Sequence, residues 1–247
     1  MTRKIFIDCG THLGMGFSKC AKIFGIDHQW EVVGFEANPY VFDGYVKNIE
    51  SEKYPVLIDK NISLENKAVW ISDEGIKFSL RGITKHHIDN YQNETWKSDL
   101  ATMVGEHHGV EEKEALEIPW DGGSCVTELK GQIKDTEERD KLYKWHEDIE
   151  IESIDLSKWI IDNFDKNDLI VLKMDIEGAE FVVLPHMQKQ GLLCQTKINA
   201  ITIEYHHKSK EEKRVWKLMK GMQCEQDETK IIELDSEDYV KDGIELK

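Results

Sequence analysis

The sequence predicts an α/β fold, because segments with the pattern of buried strands alternate with segments that have the pattern of helices at both ends of the chain. An apolar strand at residues 5–8 precedes a glycine-bearing turn and a helix at residues 14–24. A second buried strand covers residues 31–36, and Pro39, a residue favoured at helix starts, introduces the next helix. The alternation returns over residues 156–205, so the pattern indicates one α/β domain that uses both halves of the chain.

The remaining elements follow from short apolar runs and from residues that end helices. Two strands are predicted on either side of a turn at residues 72–75, and Gly191 ends a helix as glycine commonly does. The predicted segments are a helix from Pro39 to about residue 49, strands at 67–71 and 76–80, a helix at 156–163, a strand at 169–175, a helix at 179–190, a strand at 198–205, a helix at 210–221, and a hairpin-like pair at 230–234 and 243–246.

The middle of the chain, about residues 81–150, loses this regularity. It is rich in charge and histidine, and no hydrophobic period persists in it. Structureless loops of this length are uncommon in compact domains, so we expect an insertion with one or two helices, for instance at residues 137–145, that covers the ligand site. We therefore expect residues 1–247 to form a single domain that contains this insertion.

The composition restricts partners and location. The formal net charge of -16 disfavours binding to nucleic acid or to an anionic membrane, because both are polyanions. The five cysteines are scattered without a C-x-x-C pair, which favours a reducing setting. No segment resembles a leader peptide, and no apolar run approaches the roughly 18 residues of a membrane-spanning helix. We therefore expect a soluble, cytoplasmic protein.

The first strand and its turn indicate the type of cofactor. The strand ends in Asp8, and Gly10, Gly14 and Gly16 follow. The carboxylate would repel a nucleotide pyrophosphate bound at this turn. S-adenosylmethionine (SAM) carries cationic sulfonium and ammonium groups and no phosphate, so Asp8 can attract its methionine end while the glycines let the backbone approach. The motif therefore predicts a SAM-dependent methyltransferase.

A second acidic strand end, Glu36, supports a cofactor site. A carboxylate there can accept both hydroxyls of a ribose, and Asn38 follows it closely. This spacing suits NAD as well as SAM, so an NAD-dependent oxidoreductase is an alternative, although the glycines do not reproduce G-x-G-x-x-G. A non-catalytic, methyltransferase-like binding protein is the other alternative, because a fold does not fix an activity.

Four motifs together resemble the FkbM family of SAM-dependent methyltransferases: IDCGTHLG, GFEANP, NKAVW and LKMDIEGAE. The resemblance covers residues 5–205 apart from the insertion, where GGSCV at residues 122–126 is similar to a small-residue loop of that family. It implies a class I methyltransferase fold, which is a Rossmann-like, doubly wound, seven-stranded sheet with its last strand antiparallel, and methyl transfer to a hydroxyl oxygen. The chain departs from the family pattern at Thr11 and His12, where Ala-Asn is usual, and at Ala37, where proline is frequent. The predicted cofactor contacts are Asp8, Gly10, His12, Gly14, Glu36, Asn38, Ala68, Ser124 and Asp175.

The catalytic residues are predicted at the ends of two later strands, where open α/β sheets bind ligands. Lys173 and Asp175 share a face of one strand, and Glu204 and His206 share a face of the next. A hydroxyl attacks well only with a base or with a cation that lowers its pKa. In one mechanism Asp175 and Glu204, with His206, hold a divalent ion such as Mg²⁺. In the other, Lys173 or His206 is the base, unless Lys173 forms a structural ion pair with Asp175.

The acceptor is predicted from the resemblance and from the composition of the insertion. FkbM-like enzymes are associated with sugars and other polyhydroxylated metabolites, and Trp96 or Trp120 in the insertion could stack on a sugar ring. We therefore expect a glycan or a small polyhydroxylated molecule as the acceptor.

Overall fold

A computed structural model describes residues 2–50, 61–80, 82–83, 120–121, 124–129, 147–193, 198–204 and 230–233. Its strands, in chain order, are β1 (Lys4–Cys9), β2 (Trp30–Phe35), β3 (Asn61–Glu65), β4 (Ala68–Trp70), β5 (Ile76–Leu80), β6 (Gly82–Ile83), β7 (Trp120–Asp121), β8 (Cys125–Val126), β9 (Glu147–Ile151), β10 (Ser153–Asp155), β11 (Leu169–Met174), β12 (Ala200–Ile203) and β13 (Lys230–Glu233). Its α-helices are α1 (Met15–Phe24), α2 (Pro39–Glu50), α3 (Leu156–Asn163) and α4 (Glu180–Lys189).

The largest described sheet has six strands in the order β13-β12-β11-β1-β2-β3, and each described pair in it is parallel. Because the strands run the same way, their carboxyl ends meet at one edge of the sheet. Asp8 of β1 lies level with Lys173 of β11 on one side and with Gly34 of β2 on the other. The register therefore brings the acidic end of the first strand next to the motif that ends β11.

On one face of the sheet, α1 packs against the strands through aromatic side chains. Phe17 of α1 stands edge-to-face on Phe6 of β1, with ring centroids 5.5 Å apart. The apolar residues of α1 recur at helical spacing, so one stripe of the helix is buried. Burying such a side chain contributes about 1.5–3 kcal/mol. The helix ends at Gly25, whose left-handed backbone lets its N–H donate to the carbonyl of Ala21.

On the opposite face, α3 and α4 cover the sheet through a larger apolar cluster that includes Phe35 of β2 and Val183 of α4. Trp159 of α3 stands edge-on to Phe35, with ring centroids 5.2 Å apart. Asp155 begins α3 by accepting the backbone N–H of Lys158. Helices on both faces of a parallel sheet make a doubly wound α/β fold.

Small sheets from the middle of the chain complete the described structure. β5 pairs in antiparallel fashion with both β8 and β9, and β6 pairs in the same way with β7. β4 and β10 form a parallel pair. These pairings connect segments that lie far apart in sequence, so parts of the predicted insertion return to residues that precede it.

The predicted elements that fall on described residues are present, with bounds that differ by at most two residues. The sequence does not predict β3 or the strands β6 to β10. β9 has the sequence EDIEI, whose acidic residues hide the strand pattern, and its partner β5 lies about seventy residues earlier in the chain. Non-local pairing of this kind leaves no local signal.

The predicted antiparallel seventh strand has no counterpart in the described sheet, where the six strands are parallel. β13, predicted as half of a hairpin-like pair, is a parallel neighbour of β12. Its predicted partner at residues 243–246, and the predicted helices at 137–145 and 210–221, lie outside the described residues. Among the helices that the structure describes, none is both long and apolar enough to span a membrane.

Candidate active site

A cleft opens at the carboxyl edge of the main sheet, next to the ends of β1, β2 and β11. The turns after these strands line one side of it, and residues at β4, β5 and β8 line the other. Parallel α/β sheets bind ligands at this edge. The predicted cofactor residues that line the cleft are Gly10, His12, Glu36, Ala68, Ser124 and Asp175.

Glu36, directly after β2, is held in the cleft by two backbone amides. Its Oε2 accepts the N–H of His12 at 2.8 Å, and its Oε1 accepts the N–H of Asn38 at 2.9 Å. The residue is only 7% exposed, and its own N–H extends the sheet by donating to the carbonyl of Glu65 at 3.1 Å. A carboxylate oxygen has about two acceptor positions, and one fixed donor on each oxygen sets the plane of the group.

Asn38 lies beside this carboxylate but serves the following helix. Its Oδ1 accepts the N–H of Tyr40 at 3.1 Å, and its carbonyl accepts the N–H of Phe42 at 2.9 Å. Asn38 is buried and is not among the described residues that line the cleft. The structure thus gives this predicted cofactor residue a capping position at the start of α2.

The turn after β1 brings the backbone against the end of β11. Gly10 has a φ of 79°, and a Cβ at this position would collide with the carbonyl oxygen of Asp175. The N–H groups of Gly10 and Thr11 both donate to the carbonyl of Phe35, at 2.9 and 3.2 Å. His12 also has a positive φ, 48°, which costs a residue with a side chain about 1–2 kcal/mol. The turn is therefore shaped by contacts with both neighbouring strands.

Gly14 and Gly16 serve helix packing. A Cβ at Gly14 would collide with the ring of Tyr45, and a Cβ at Gly16 would lie 2.6 Å from Cε of Lys173. Gly14, a predicted cofactor contact, is not among the described residues that line the cleft. The two glycines let α1 lie close to α2 and to the side chain of Lys173.

Beneath the turn, Lys173 lies between two carboxylates, and we call Asp8, Lys173 and Asp175 the acid–lysine triad. Lys173 Nζ is 3.1 Å from Asp8 Oδ1 and 3.2 Å from Asp175 Oδ2. It also donates a hydrogen bond of 2.7 Å to the carbonyl of Gly10. The side chains of Lys173 and Asp8 are each 1% exposed, whereas that of Asp175 is 23% exposed. Asp8, expected to meet the methionine end of SAM, is buried under the turn and is not among the described lining residues.

The charges of the triad bear on whether Lys173 can act as a base. Burial alone lowers the pKa of Lys173, but Asp175 and Asp8 together outweigh burial and raise its pKa above the usual range. A lysine that keeps its proton cannot take one from a hydroxyl. The geometry therefore disfavours the lysine-base mechanism and matches the interpretation of Lys173 as the partner of Asp175. Burial raises the pKa of Asp8, and Lys173 offsets only part of that effect.

The metal alternative has only part of its predicted ligand set on described residues. Asp175 lines the cleft, whereas Glu204 is not among the described lining residues. Glu204 follows β12, and its backbone N–H donates to the carbonyl of Met174 at 3.0 Å. His206 lies outside the described residues. In the part of the chain that the structure describes, no three His, Cys, Asp or Glu side chains form a group that could hold a metal ion.

The apolar side of the cleft is not predicted from the sequence. Val69, Phe78 and Val126 line it, and the last two are cross-strand partners in the β5–β8 pair. Lys67 also lines the cleft, with Nζ 2.7 Å from Oε2 of Glu65. The motifs NKAVW and GGSCV contain Val69 and Val126, but nothing in the sequence indicates that these two residues line the same cleft.

A parallel sheet with helices on both faces, a glycine turn after its first strand and an acidic residue after the next define a Rossmann-like protein with a cleft at the carboxyl edge of its sheet. The family comparison is more specific. The family model described as Methyltransferase FkbM domain matches residues 8–234. The chain therefore belongs to the FkbM methyltransferase family, which confirms the resemblance of its four motifs. No curated protein and no solved structure matches the chain.

Proposed function

We propose that this protein is a SAM-dependent O-methyltransferase whose acceptor is a hydroxyl of a sugar, a glycan or another polyhydroxylated small molecule. The observation that carries the cofactor assignment is the position of Glu36, whose two oxygens are oriented in the cleft by the amides of His12 and Asn38. In this proposal the carboxylate accepts the ribose hydroxyls. SAM supplies the activated methyl group, and the residues of the chain bind and orient it.

The charges around the cleft support SAM over a dinucleotide. Glu36, Asp175 and Glu177 all line the cleft, and Asp175 shares the ammonium of Lys173, 3.2 Å away, with Asp8. The cationic side chain of Lys67 is paired with Glu65 at 2.7 Å. An acidic cleft attracts sulfonium and ammonium groups and repels a pyrophosphate. The residues present therefore fit SAM better than NAD.

The apolar side of the cleft supports an adenine site. Val69, Phe78 and Val126 are buried and face the same space as Glu36. A planar heterocycle packs well against aliphatic and aromatic side chains, while a few polar groups fix its orientation. This arrangement suits a ligand with a flat base at one end of a ribose.

For the acceptor, we propose activation by His206 or by a divalent ion at Asp175 and Glu204. Methylation of a hydroxyl requires that its proton leave, and Lys173 holds its own proton between Asp8 and Asp175. Excess chelator distinguishes the two mechanisms. Unchanged methyl transfer would exclude the metal, whereas transfer that is lost and then restored by Mg²⁺ would support it.

The glycan part of the proposal depends on the family resemblance and on the tryptophans of the middle segment. Trp120 belongs to β7, and Trp96 lies outside the described residues. Once an acceptor is found by screening polyhydroxylated compounds, the double variant Trp96→Ala and Trp120→Ala should raise the KM for the acceptor and leave SAM binding unchanged. An unchanged KM would remove the stacking proposal.

The cofactor proposal is tested by calorimetric titration with SAM and with NAD. Glu36→Gln removes the negative charge and presents an N–H₂ group to one of the two amides, so we expect SAM affinity to fall about ten- to a hundredfold. Glu31→Gln is the matched control, because Glu31 lies at the other end of β2 and pairs with Arg3 at 2.6 Å. That variant should bind SAM like the parent protein.

The outcomes separate the alternatives. SAM binding that depends on Glu36 supports the methyltransferase site. Binding of NAD alone would point to an oxidoreductase. Binding of neither would favour a non-catalytic protein that has kept the fold.

A further inference from the structure

Asn66, the residue between β3 and Lys67, connects two strand ends at the cleft. Its Nδ2 donates to the carbonyl of Glu36 at 2.7 Å and to the carbonyl of Ala37 at 3.2 Å. Both partners are acceptors, so the donor end of the amide must face them. One side chain thus ties the end of β3 to two successive residues of the neighbouring turn.

The amide of Asn66 provides hydrogen-bond donors for two backbone carbonyls that lie just beyond the paired part of β2. At the end of the β2–β3 pair, the backbone N–H of Glu36 donates to the carbonyl of Glu65 at 3.1 Å. Beyond it the chain turns toward α2, and the carbonyls of Glu36 and Ala37 point away from the ladder toward Asn66. A partly buried carbonyl without a donor costs free energy, and Asn66 supplies both donors from one amide.

We propose that Asn66 is a positioning residue that sets the recognition of the ribose hydroxyls by Glu36, an inference that rests on the proposed SAM site. Described contacts to both its carboxylate and its backbone define the pose of Glu36, whose N–H donates to the carbonyl of Glu65 at 3.1 Å. The amides of His12 and Asn38 hold the carboxylate, and Asn66 holds the backbone from which the side chain extends. Displacements of about 1 Å in a positioning group weaken recognition strongly. Asn66 therefore acts on the ligand through Glu36 without touching it.

The test is a calorimetric comparison of two ligands, S-adenosylhomocysteine and its 2′-deoxy analogue, on purified full-length variants. In the parent protein we expect the missing hydroxyl to weaken binding about tenfold. In Asn66→Ala that penalty should fall to about twofold, because Glu36 is no longer aimed at the hydroxyl. Asn66→Ser, which keeps one donor, should lie between the two values and remains informative if the alanine variant folds poorly.

The matched control is Asn163→Ala. Asn163 donates its Nδ2 to the carbonyl of Trp159 at 2.8 Å, which is the same kind of contact on an exposed helix end that does not line the cleft. This variant should keep the full tenfold penalty. Melting temperatures of both variants report any general loss of stability.

Three outcomes are decisive. A reduced hydroxyl penalty in the Asn66 variants alone supports the positioning role. A loss of affinity for both ligands by the same factor, or no change, overturns it and leaves Asn66 as a structural link. If the parent protein binds neither ligand, the proposed function fails, and the inference fails with it for that separate reason.

Discussion

Two acidic side chains near the ends of adjacent parallel strands are stabilised in opposite ways. Asp8 of β1 is buried and has the ammonium of Lys173 3.1 Å away. Glu36, just after β2, lines the cleft and is held by the neutral N–H groups of His12 and Asn38. An ammonium partner cancels much of a negative charge, whereas backbone amides orient the carboxylate and leave its charge in place. An acidic strand end therefore suits a cationic or hydroxyl-bearing ligand where it lines the cleft and backbone amides fix the plane of its carboxylate.

Position along the strand accounts for the difference. Asp8 lies within β1, so its side chain is on a sheet face, and α1 covers that face closely enough that a Cβ at Gly16 would lie 2.6 Å from Lys173 Cε. Glu36 is the first residue after β2 and has left the face for the edge of the sheet. Asp8 lies level with Gly34, so a shift of two residues along the strand direction separates a buried ion pair from a cleft residue.

Removing the buried ammonium of Lys173 should lower the free energy of unfolding more than any other change considered. Lys173→Met leaves the carboxylates of Asp8 and Asp175 without their shared ammonium, and removing one partner of a buried ion pair costs about 3–5 kcal/mol. Urea unfolding should show this loss directly. The matched control is Lys158→Met, because Lys158 also pairs with an aspartate, Asp73 at 3.0 Å, but is exposed and should change stability far less. Equal losses in the two variants would mean that burial of the triad is energetically unimportant.

The glycine turn over the triad should give the next largest effect. Gly10→Ala places a methyl group against the carbonyl oxygen of Asp175 at a positive φ, so we expect a loss of about 2–4 kcal/mol from overpacking and backbone strain combined. Gly25→Ala is the matched control, since Gly25 also has a positive φ, 62°, but open space where the Cβ would lie. It should lose only the strain part, about 1–2 kcal/mol. If the two variants unfold at the same urea concentration, close packing at Gly10 is not what stabilises the turn.

The contrast between Glu36 and Asp8 also shows which features of the site can be predicted from the sequence. The alternation of strands and helices, and the acidic residues that follow apolar runs, identify β1, β2 and β11 and place Glu36 and Asp175 at the cleft. Strands of a parallel sheet are buried on both faces and are nearly continuous in apolar residues. The pattern around Asp8 therefore gives no indication of which way its side chain points, and its burial with Lys173 depends on register between distant strands.

The apolar side of the cleft and the role of Asn66 depend on contacts that local sequence does not encode. Phe78 and Val126 meet because β5 pairs with a strand nearly fifty residues later. Asn66 reaches across from the end of β3 to the turn after β2, about thirty residues earlier. An asparagine in a short loop is ordinary turn chemistry when it is seen alone. Only the folded arrangement shows that it faces two carbonyls of the residues that carry Glu36 and Ala37.

The smallest predicted effect is the pH dependence that the buried carboxyl of Asp8 gives to the free energy of unfolding. Burial raises the pKa of Asp8, so the folded state binds this proton more tightly than the unfolded state, and the contribution of Asp8 to stability decreases as pH rises above about 4. Asp8→Asn removes this dependence, so the variant should gain stability relative to the parent protein between about pH 4 and pH 7, as measured by urea unfolding across that range. Asp73→Asn should behave differently, because the N–H of Asp155 and the ammonium of Lys158 lower the pKa of Asp73. The contribution of Asp73 is then fully present above about pH 4 and is lost as the pH falls below that value, so the loss of stability in this variant should be constant between about pH 4 and pH 7 and should shrink only at lower pH. A constant difference between Asp8→Asn and the parent protein at every pH would show that Lys173 fully compensates the burial of Asp8.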